Sequence, residues 1–205
     1  MIHSIISAIA VKANQYIKNK LAVDEDVVVV RSLVDLKGNL SQGIENKIVV
    51  FLLSIEEEKI SKNLSANNIT NNPALNLNIN IMFASYFTDI NYVESLRHVS
   101  LVIEFFQRNP IFNFANTPGL PISIPRLHVE IYNLNMPDTM RLWGAIGTKY
   151  TPSCAYRIKQ IVFDSNTIIE DTAPVLGNDR PDDSGGDGDS SDSLKNPGRG
   201  DQVTT

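Results

Sequence analysis

The sequence is short of several things, and each shortage excludes something. One cysteine, Cys154, stands among 205 residues. An intramolecular disulfide is therefore impossible, and a zinc site built on several cysteines is excluded. A single thiol fits a chain folded in a reducing compartment. The three histidines, His3, His98 and His128, fall in different expected elements. No P-loop, dinucleotide fingerprint, nucleophile elbow or HExxH helix is present. His128-x-Glu130 matches part of a zinc-deaminase signature, but the paired cysteines that complete it are missing. Long hydrophobic runs are lacking as well. Ile2–Val11 is apolar over only about ten residues and no basic residue precedes it, which falls short of a secretion signal and of a bilayer span. The expectation is an interaction protein, with no catalytic residue, no cofactor and no metal site, that does not insert into a membrane.

Charge is concentrated at one end. Residues 178–205 carry seven aspartates against three basic residues, with Leu194 and Val203 as their only aliphatics. Such a segment buries too little apolar surface to offset its ordering entropy, so a disordered acidic tail is expected. Arg199-Gly200-Asp201 within it is read as a chance match to an adhesion tripeptide. Residues 1–177 hold fifteen basic and sixteen acidic side chains. A nearly neutral body without a basic block argues against nucleic acid and for protein partners.

Periodicity within 1–177 predicts alternating helices and strands. Ile2, Ile5, Ile6, Ile9, Ala13, Tyr16, Ile17 and Leu21 recur at helical spacing and are expected to lie on the chain's own core. Val27–Val34 and Lys47–Ile55 read as strands, the second of them covered on both faces; a hairpin would pair them, though the connection is long for a tight one. Glu56–Pro73 reads as a solvated, asparagine-rich loop. Leu75, Leu77, Ile79, Ile81 and Phe83 alternate with a wetter row of asparagines, which either faces solvent or hydrogen-bonds another subunit. Asn91 is expected to cap a helix in which Tyr92, Leu96, Val99, Ile103 and Phe106 step by four and three. Val93, Leu101, Val102 and Phe105 widen its apolar zone beyond one stripe, so a second covering is expected. His98 lies on its polar side. Ile111–Phe114 reads as an edge strand, Arg126–Leu134 as an alternating strand, and Pro137 opens a short helix. Leu142, Trp143 and Ile146 share one face of that helix. After Pro152-Ser153 comes a last strand, expected to become buried on both faces at Ile161–Phe163. The pattern αββ-β-α-β-β-β-α-β predicts the α+β class, a mixed sheet flanked by helices in a single domain.

The closing segment also carries a resemblance. Leu142-Trp143-Gly144-Ala145, then Tyr150, Pro152-Ser153, Ala155-Tyr156-Arg157 and an alternating apolar run, is similar to the end of the tail-terminator (cap) proteins of extracellular contractile injection systems. These are phage-tail-like particles of the antifeeding-prophage and Photorhabdus-virulence-cassette type. Leu75–Tyr86, the helix after it and Asn109-Pro110-Ile111 resemble the middle of the same family, and the likeness covers residues 1–177. It implies a structural protein and not an enzyme. Six copies would ring the distal end of an inner tube, end tube and sheath polymerisation, and hold the last sheath layer. Its partners would be itself, the inner-tube protein and the sheath protein. Its place would be the bacterial cytoplasm during assembly and then the released particle.

On this reading Tyr92, Leu96, Val99, Ile103, Phe106, Ile111, Phe112 and Phe114 are the interface candidates. Leu142, Trp143, Pro152, Ser153 and Tyr156 are the structural residues, with Trp143 and Tyr156 locking the last helix against the last strand. Ile111–Phe114 is the candidate edge for a sheath strand. Two alternatives stand beside it. One is a baseplate or assembly-chaperone component of the same particle. The other is a small cytoplasmic ligand-binding or enzymatic α+β domain with a cleft near Trp143, Tyr150 and Tyr156.

Overall fold

Alternation along β3 (Leu75–Tyr86) sets the layering of the molecule. Ile79, Ile81 and Phe83 are fully buried on one side, and Asn80, Met82 and Ala84 on the other. A strand buried on both sides must run inside a sheet that is covered on both faces. The computed structural model, which describes residues 1–58 and 75–163, has that arrangement. The other elements are α1 (Ile2–Leu21), β1 (Val28–Val30), β2 (Lys47–Glu57), α2 (Tyr92–Arg108), β4 (Ile111–Phe112), β5 (Leu127–Ile131), α3 (Met136–Ile146) and β6 (Ser153–Phe163). The sheet order is β1-β2-β3-β6-β5-β4. β1 runs parallel to β2, and every other neighbouring pair is antiparallel. This is a mixed sheet with helices on both faces, the α+β class. The described residues belong to one compact unit, Met1–Glu170. The expected boundary at 177 and the expected acidic tail lie outside the described residues, as does most of the expected loop before β3.

α1 and α2 cover the first face. Ile5, Ile9, Ala13 and Ile17, one per turn of α1, are wholly buried on Val28, Ile48, Val50 and their neighbours. α2 adds Val102, Phe105 and Phe106. Phe106 stacks on Tyr156 of β6 at 4.0 Å between ring centroids and meets Phe83 edge-on at 5.2 Å. Burying side chains of this size stabilises the fold by about 1.5–3 kcal/mol each, and the aromatic contacts add direction to that burial. The second face has a smaller core, in which α3 and the β1–β2 connection bring Trp143, Leu33 and Ile44 onto Val49, Met82, Ala84 and Ala155. Leu142 and Ile146 pack against the same cluster. Asn135 caps α3, its Oδ1 accepting the Asp138 N–H at 2.8 Å. Gly147, at φ 80°, ends the helix in the left-handed region that glycine adopts without strain.

Several expectations are corrected. β1 and β2 are parallel, not a hairpin, because the chain between them first makes its own small turn. There Asp35 accepts the N–H groups of Lys37 and Asn39, and Val34 bridges Leu40. Between α2 and α3 the described residues hold two strands where three were expected. Asn91 does not cap α2 with its side chain; a 3-10 turn, Asp89–Asn91, leads into the helix. His98 is buried, its Nδ1–H donating to the Glu94 carbonyl at 2.7 Å while the ring lies 4.6 Å from Phe87. The end of β6 is not buried on both faces. A bulge at Gln160, which sits at φ 69°, puts Ile158 and Ile161 on the same core, and Val162 is exposed. Trp143 and Tyr156 lie on opposite faces of the sheet, so Tyr156 anchors α2 and not the last helix.

Candidate assembly surface

α2 has more apolar side chains than one core-facing stripe can bury. Ser95, His98, Val102, Phe105 and Phe106 take the sheet side. Tyr92, Leu96 and Ile103 are left 53, 44 and 43 % exposed, with Val99 half-buried in line with them. Val93 and Ile90 stand out beside the first turn of this row. Phe106 does not join it. The step of three and four that put Phe106 in the stripe also puts it against Tyr156, and the core takes it.

The same row runs into a groove. β5 leaves β6 early: the Tyr132 N–H donates to the Ala155 carbonyl at 2.8 Å, and the chain then turns off toward α3. Ser153 and Cys154, the first residues of β6, pair with Ala84 and Phe83 of β3 on one side only. The step in the sheet is walled by Ile103, Ile131, Tyr132, Met136, Met140 and Tyr150, enclosing about 620 Å³. Met136 is 73 % exposed and Met140 59 %. Methionine side chains are unbranched and adapt to irregular partners. Among the described residues, no charged side chain lines this groove. Cys154 is on its wall, and burial of the thiol pushes its pKa up to about 12, leaving it a poor nucleophile at neutral pH. Tyr156, raised by its burial and then by nearby Cys154, is likewise no proton donor near neutrality. The cleft expected near Trp143, Tyr150 and Tyr156 thus exists at Tyr150. Trp143 is in the core behind it, and Tyr156 lines a smaller recess with Ile103, Phe106 and Glu130.

Each sheet edge is capped in part by the chain itself. At β4, Phe112 is fully buried and the Asn116 side chain donates to the Ile111 carbonyl at 3.0 Å. This caps one carbonyl of the Ile111–Phe112 edge, and burial takes the Phe112 side chain into the core and away from any interface. Phe114 remains exposed on the following turn. At β1, Oδ1 of Asn14 accepts the N–H groups of Val27 and Val28 at 2.9 and 3.0 Å.

The asparagine row is not wet where it matters. Asn80 is fully buried and donates to Ser54 and to Glu56. Arg157 Nε donates to Asn80 Oδ1 at 3.0 Å, and its Nη2 bridges both Glu56 oxygens at 3.2 and 2.9 Å. Tyr132 lies under the guanidinium at 4.7 Å. Glu56, expected in a loop, belongs to β2 and is the partner of this arginine. Pro152 is buried, and Ser153 and Leu142 are half-buried beside the groove and the second core. Sequence reading missed Met136, Met140 and Ile131. The signal was present: Met136, Met140 and Trp143 follow one stripe at i, i+4 and i+7, and only its last member is covered.

The described residues thus form a small α+β module with an unburied helix stripe and a groove that no described charged side chain lines. The chain belongs to the Pvc16 N-terminal domain family, whose model matches residues 4–177. Its fold is similar to the cryo-EM structure of the anti-feeding prophage cap, a tube-terminating cap, with TM-score 0.50 and 15 % identity over 77 % of this chain and 54 % of that one. The sheath/tube terminator of the PVC extracellular contractile injection system, in its extended state, aligns at TM-score 0.49 with 14 % identity over 80 % of this chain and 57 % of that one. The chain spans little more than half the length of either. No curated protein sequence matches it.

Proposed function

We propose that the protein is a structural tail terminator of a contractile injection particle. Copies form a ring, six in number, on the distal end of the inner tube, end the growth of tube and sheath, and anchor the last sheath layer. The observation that carries this is family membership across residues 4–177. The geometry supports it. A tube protomer at a growing end exposes an unfilled assembly surface. A terminator fills that surface and presents no equivalent one above, so addition stops. The row Tyr92, Leu96, Val99 and Ile103, with Phe114 on a separate turn, offers apolar area for such contacts, and exposed apolar surface of this kind marks interaction sites. The groove at the start of β6, uncharged among the described residues, supports docking of protein over turnover of a polar substrate. Residues 1–177 act as the terminator domain, and the aspartates of 178–205 discourage one ring from stacking on another. Assembly takes place in the bacterial cytoplasm, before the particle is released.

Electron microscopy of particles produced without this protein tests the reading. Tubes of uncontrolled length or unfinished ends are expected. Full-size, normally ended particles overturn it. A failure to nucleate any tube overturns it in favour of a baseplate role.

A further inference from the structure

The turn inside the β1–β2 connection holds one leucine away from the protein. Its foot is fixed by Leu33 and Ile44, both buried in the second core. Val34 bridges Leu40. The Asp35 N–H donates to the Asn39 carbonyl at 2.8 Å, and the Gly38 N–H to the Asp35 carbonyl at 3.1 Å. The Asp35 carboxylate is used within the turn, accepting the N–H groups of Lys37 and Asn39 at 2.8 and 2.9 Å. Gly38 supplies the left-handed residue, at φ 82°. In this braced turn Leu36 is the most exposed large apolar side chain among the described residues. It adds no burial to the fold, and a turn already ordered binds without the cost of ordering a loop. A single exposed leucine is ordinary. What distinguishes this one is its place opposite an apolar recess and the charge around each.

The recess is the groove walled by Ile131, Met136, Met140 and Tyr150. It lies beyond β6 where β5 turns off, whereas the turn springs from β1 and β2 at the other flank of the sheet. Both are at the same end of the strands. Leu33 and Ile44 pack with Val49 and Ala84, and Ala84 pairs with Ser153 at the start of β6. About four strand spacings separate the two lanes, roughly 19 Å. Leu36, wholly exposed, does not enter its own groove.

The two flanks carry opposite charge. Residues 24–46, which form β1 and the connection, hold five acidic side chains against two basic ones, and all five acids are exposed. Residues 126–159, which form β5, α3 and the start of β6, hold five basic side chains against two acidic ones. Lys149 stands exposed beside Tyr150 of the groove wall. Unlike flanks therefore attract and like flanks repel, which favours a second copy placed head-to-tail.

We infer that the Asp35–Asn39 turn of one copy inserts Leu36 into the groove of the next, between Ile131, Met136, Met140 and Tyr150. Contacts of this kind close into a ring when the rotation per copy divides a full turn. The ring as setting rests on the terminator reading; the joint rests on the two flanks.

The test uses the full chain and two variants at exposed positions, Leu36→Asp in the turn and Met140→Glu in the groove. Light scattering behind size exclusion should show wild type as a closed oligomer, shifting toward monomer as salt is raised, and each variant as a monomer. Their far-UV spectra should match wild type. Mixed in equal amounts, the two should form dimers and nothing larger, since Leu36 of the Met140→Glu chain still fits the intact groove of the Leu36→Asp chain. A Leu36→Asp chain that keeps the wild-type mass overturns the inference, even if Met140→Glu dissociates, because the groove then has another occupant. A mixture that stays monomeric overturns it, as does a wild type that is monomeric at every soluble concentration. Particle length in micrographs reports on the terminator reading separately: a Leu36→Asp chain that keeps the wild-type mass and still restores normal ends sinks the joint and leaves the cap standing.

Discussion

The two faces of the sheet are held in different ways, though the same strands build both. On the first, α1 and α2 cover β1 to β6 with one continuous core, from Ile17 at one end to Phe112 at the other. On the second, the β1–β2 connection and α3 cover only the half that carries Val49, Met82, Ala84 and Ala155. The other half replaces apolar packing with the Glu56–Asn80–Arg157 network. β3 shows the switch within one strand: its first-face row is Ile79, Ile81, Phe83, and its second-face row is Asn78, Asn80, Met82, Ala84. The first face supplies stability. The second supplies register, because a buried asparagine between Glu56 and Arg157 is satisfied in one alignment of β2, β3 and β6 only. A slip by one residue would bury it without partners, at a cost of about 1–3 kcal/mol per unpaired group.

Truncation of neighbours on opposite faces should break this comparison first. Phe83→Ala removes a fully buried ring that touches Phe106 and Tyr156 and should cost about 3–5 kcal/mol. Trp143→Ala should fall at the lower end of that range, because it opens a smaller core near the surface and removes an indole N–H that has no partner. Trp143→Phe should cost less than half as much for the same reason. Urea unfolding of the three variants gives the order. A Trp143→Ala loss larger than the Phe83→Ala loss would mean that the second face, not the first, carries the fold.

The polar half makes the next largest effect. Arg157→Met strands Asn80 Oδ1 and unpairs Glu56. The ion pair is partly exposed, so solvent screening limits the Coulomb part. A loss of about 1–3 kcal/mol is expected, mostly from the buried amide. Adding Asn80→Leu to Arg157→Met should recover part of it, since removing both partners of a buried pair leaves no polar orphan. A double-mutant cycle measures the coupling, and strict additivity of the two losses would show that the network does not act as a unit.

The contrast also explains what was legible before the structure. Where residues alternate or recur at helical spacing against a single apolar core, the elements were visible: α1, β3, α2 and β6 all lie within a few residues of expectation. What covers a face was not visible. Alternation shows that Asn80 and Ile81 point opposite ways. It does not show that Arg157, distant in sequence, comes to meet the asparagine. The same limit misplaced Phe106 and Phe112. Periodicity marked them as apolar and excess, and only the aromatic cluster around Tyr156 shows that they are used inside. Met140 and Ile131 were missed for the opposite reason: they stand exposed at the rim of a step that exists only where β5 turns away from β6. Such a step depends on where two strands part, which no local pattern encodes.

The smallest expected effect sits at the β1 edge and sharpens the contrast between faces and edges. Asn14 ties α1 to β1 through two backbone N–H groups, and its Nδ2 also donates to Asp26 at 2.7 Å. That hydrogen bond first, and Lys18 second, hold the Asp26 carboxyl below its usual pKa. A depressed folded-state pKa means that its stabilisation is complete above the unfolded value of about 3.9. It is lost as pH falls through the lower folded value. Asp26→Asn should therefore lower the melting temperature slightly at pH 7, and the difference from wild type should shrink as pH falls below the unfolded value and vanish in strong acid. Asn14→Ala should cost about 1–3 kcal/mol at either pH, because its main loss is two backbone donors and not a charge. Melting curves of both variants at the two pH values separate the contributions. An Asn14→Ala deficit that disappeared in acid would show that the edge is held through Asp26, and that the amide cap on β1 carries little by itself.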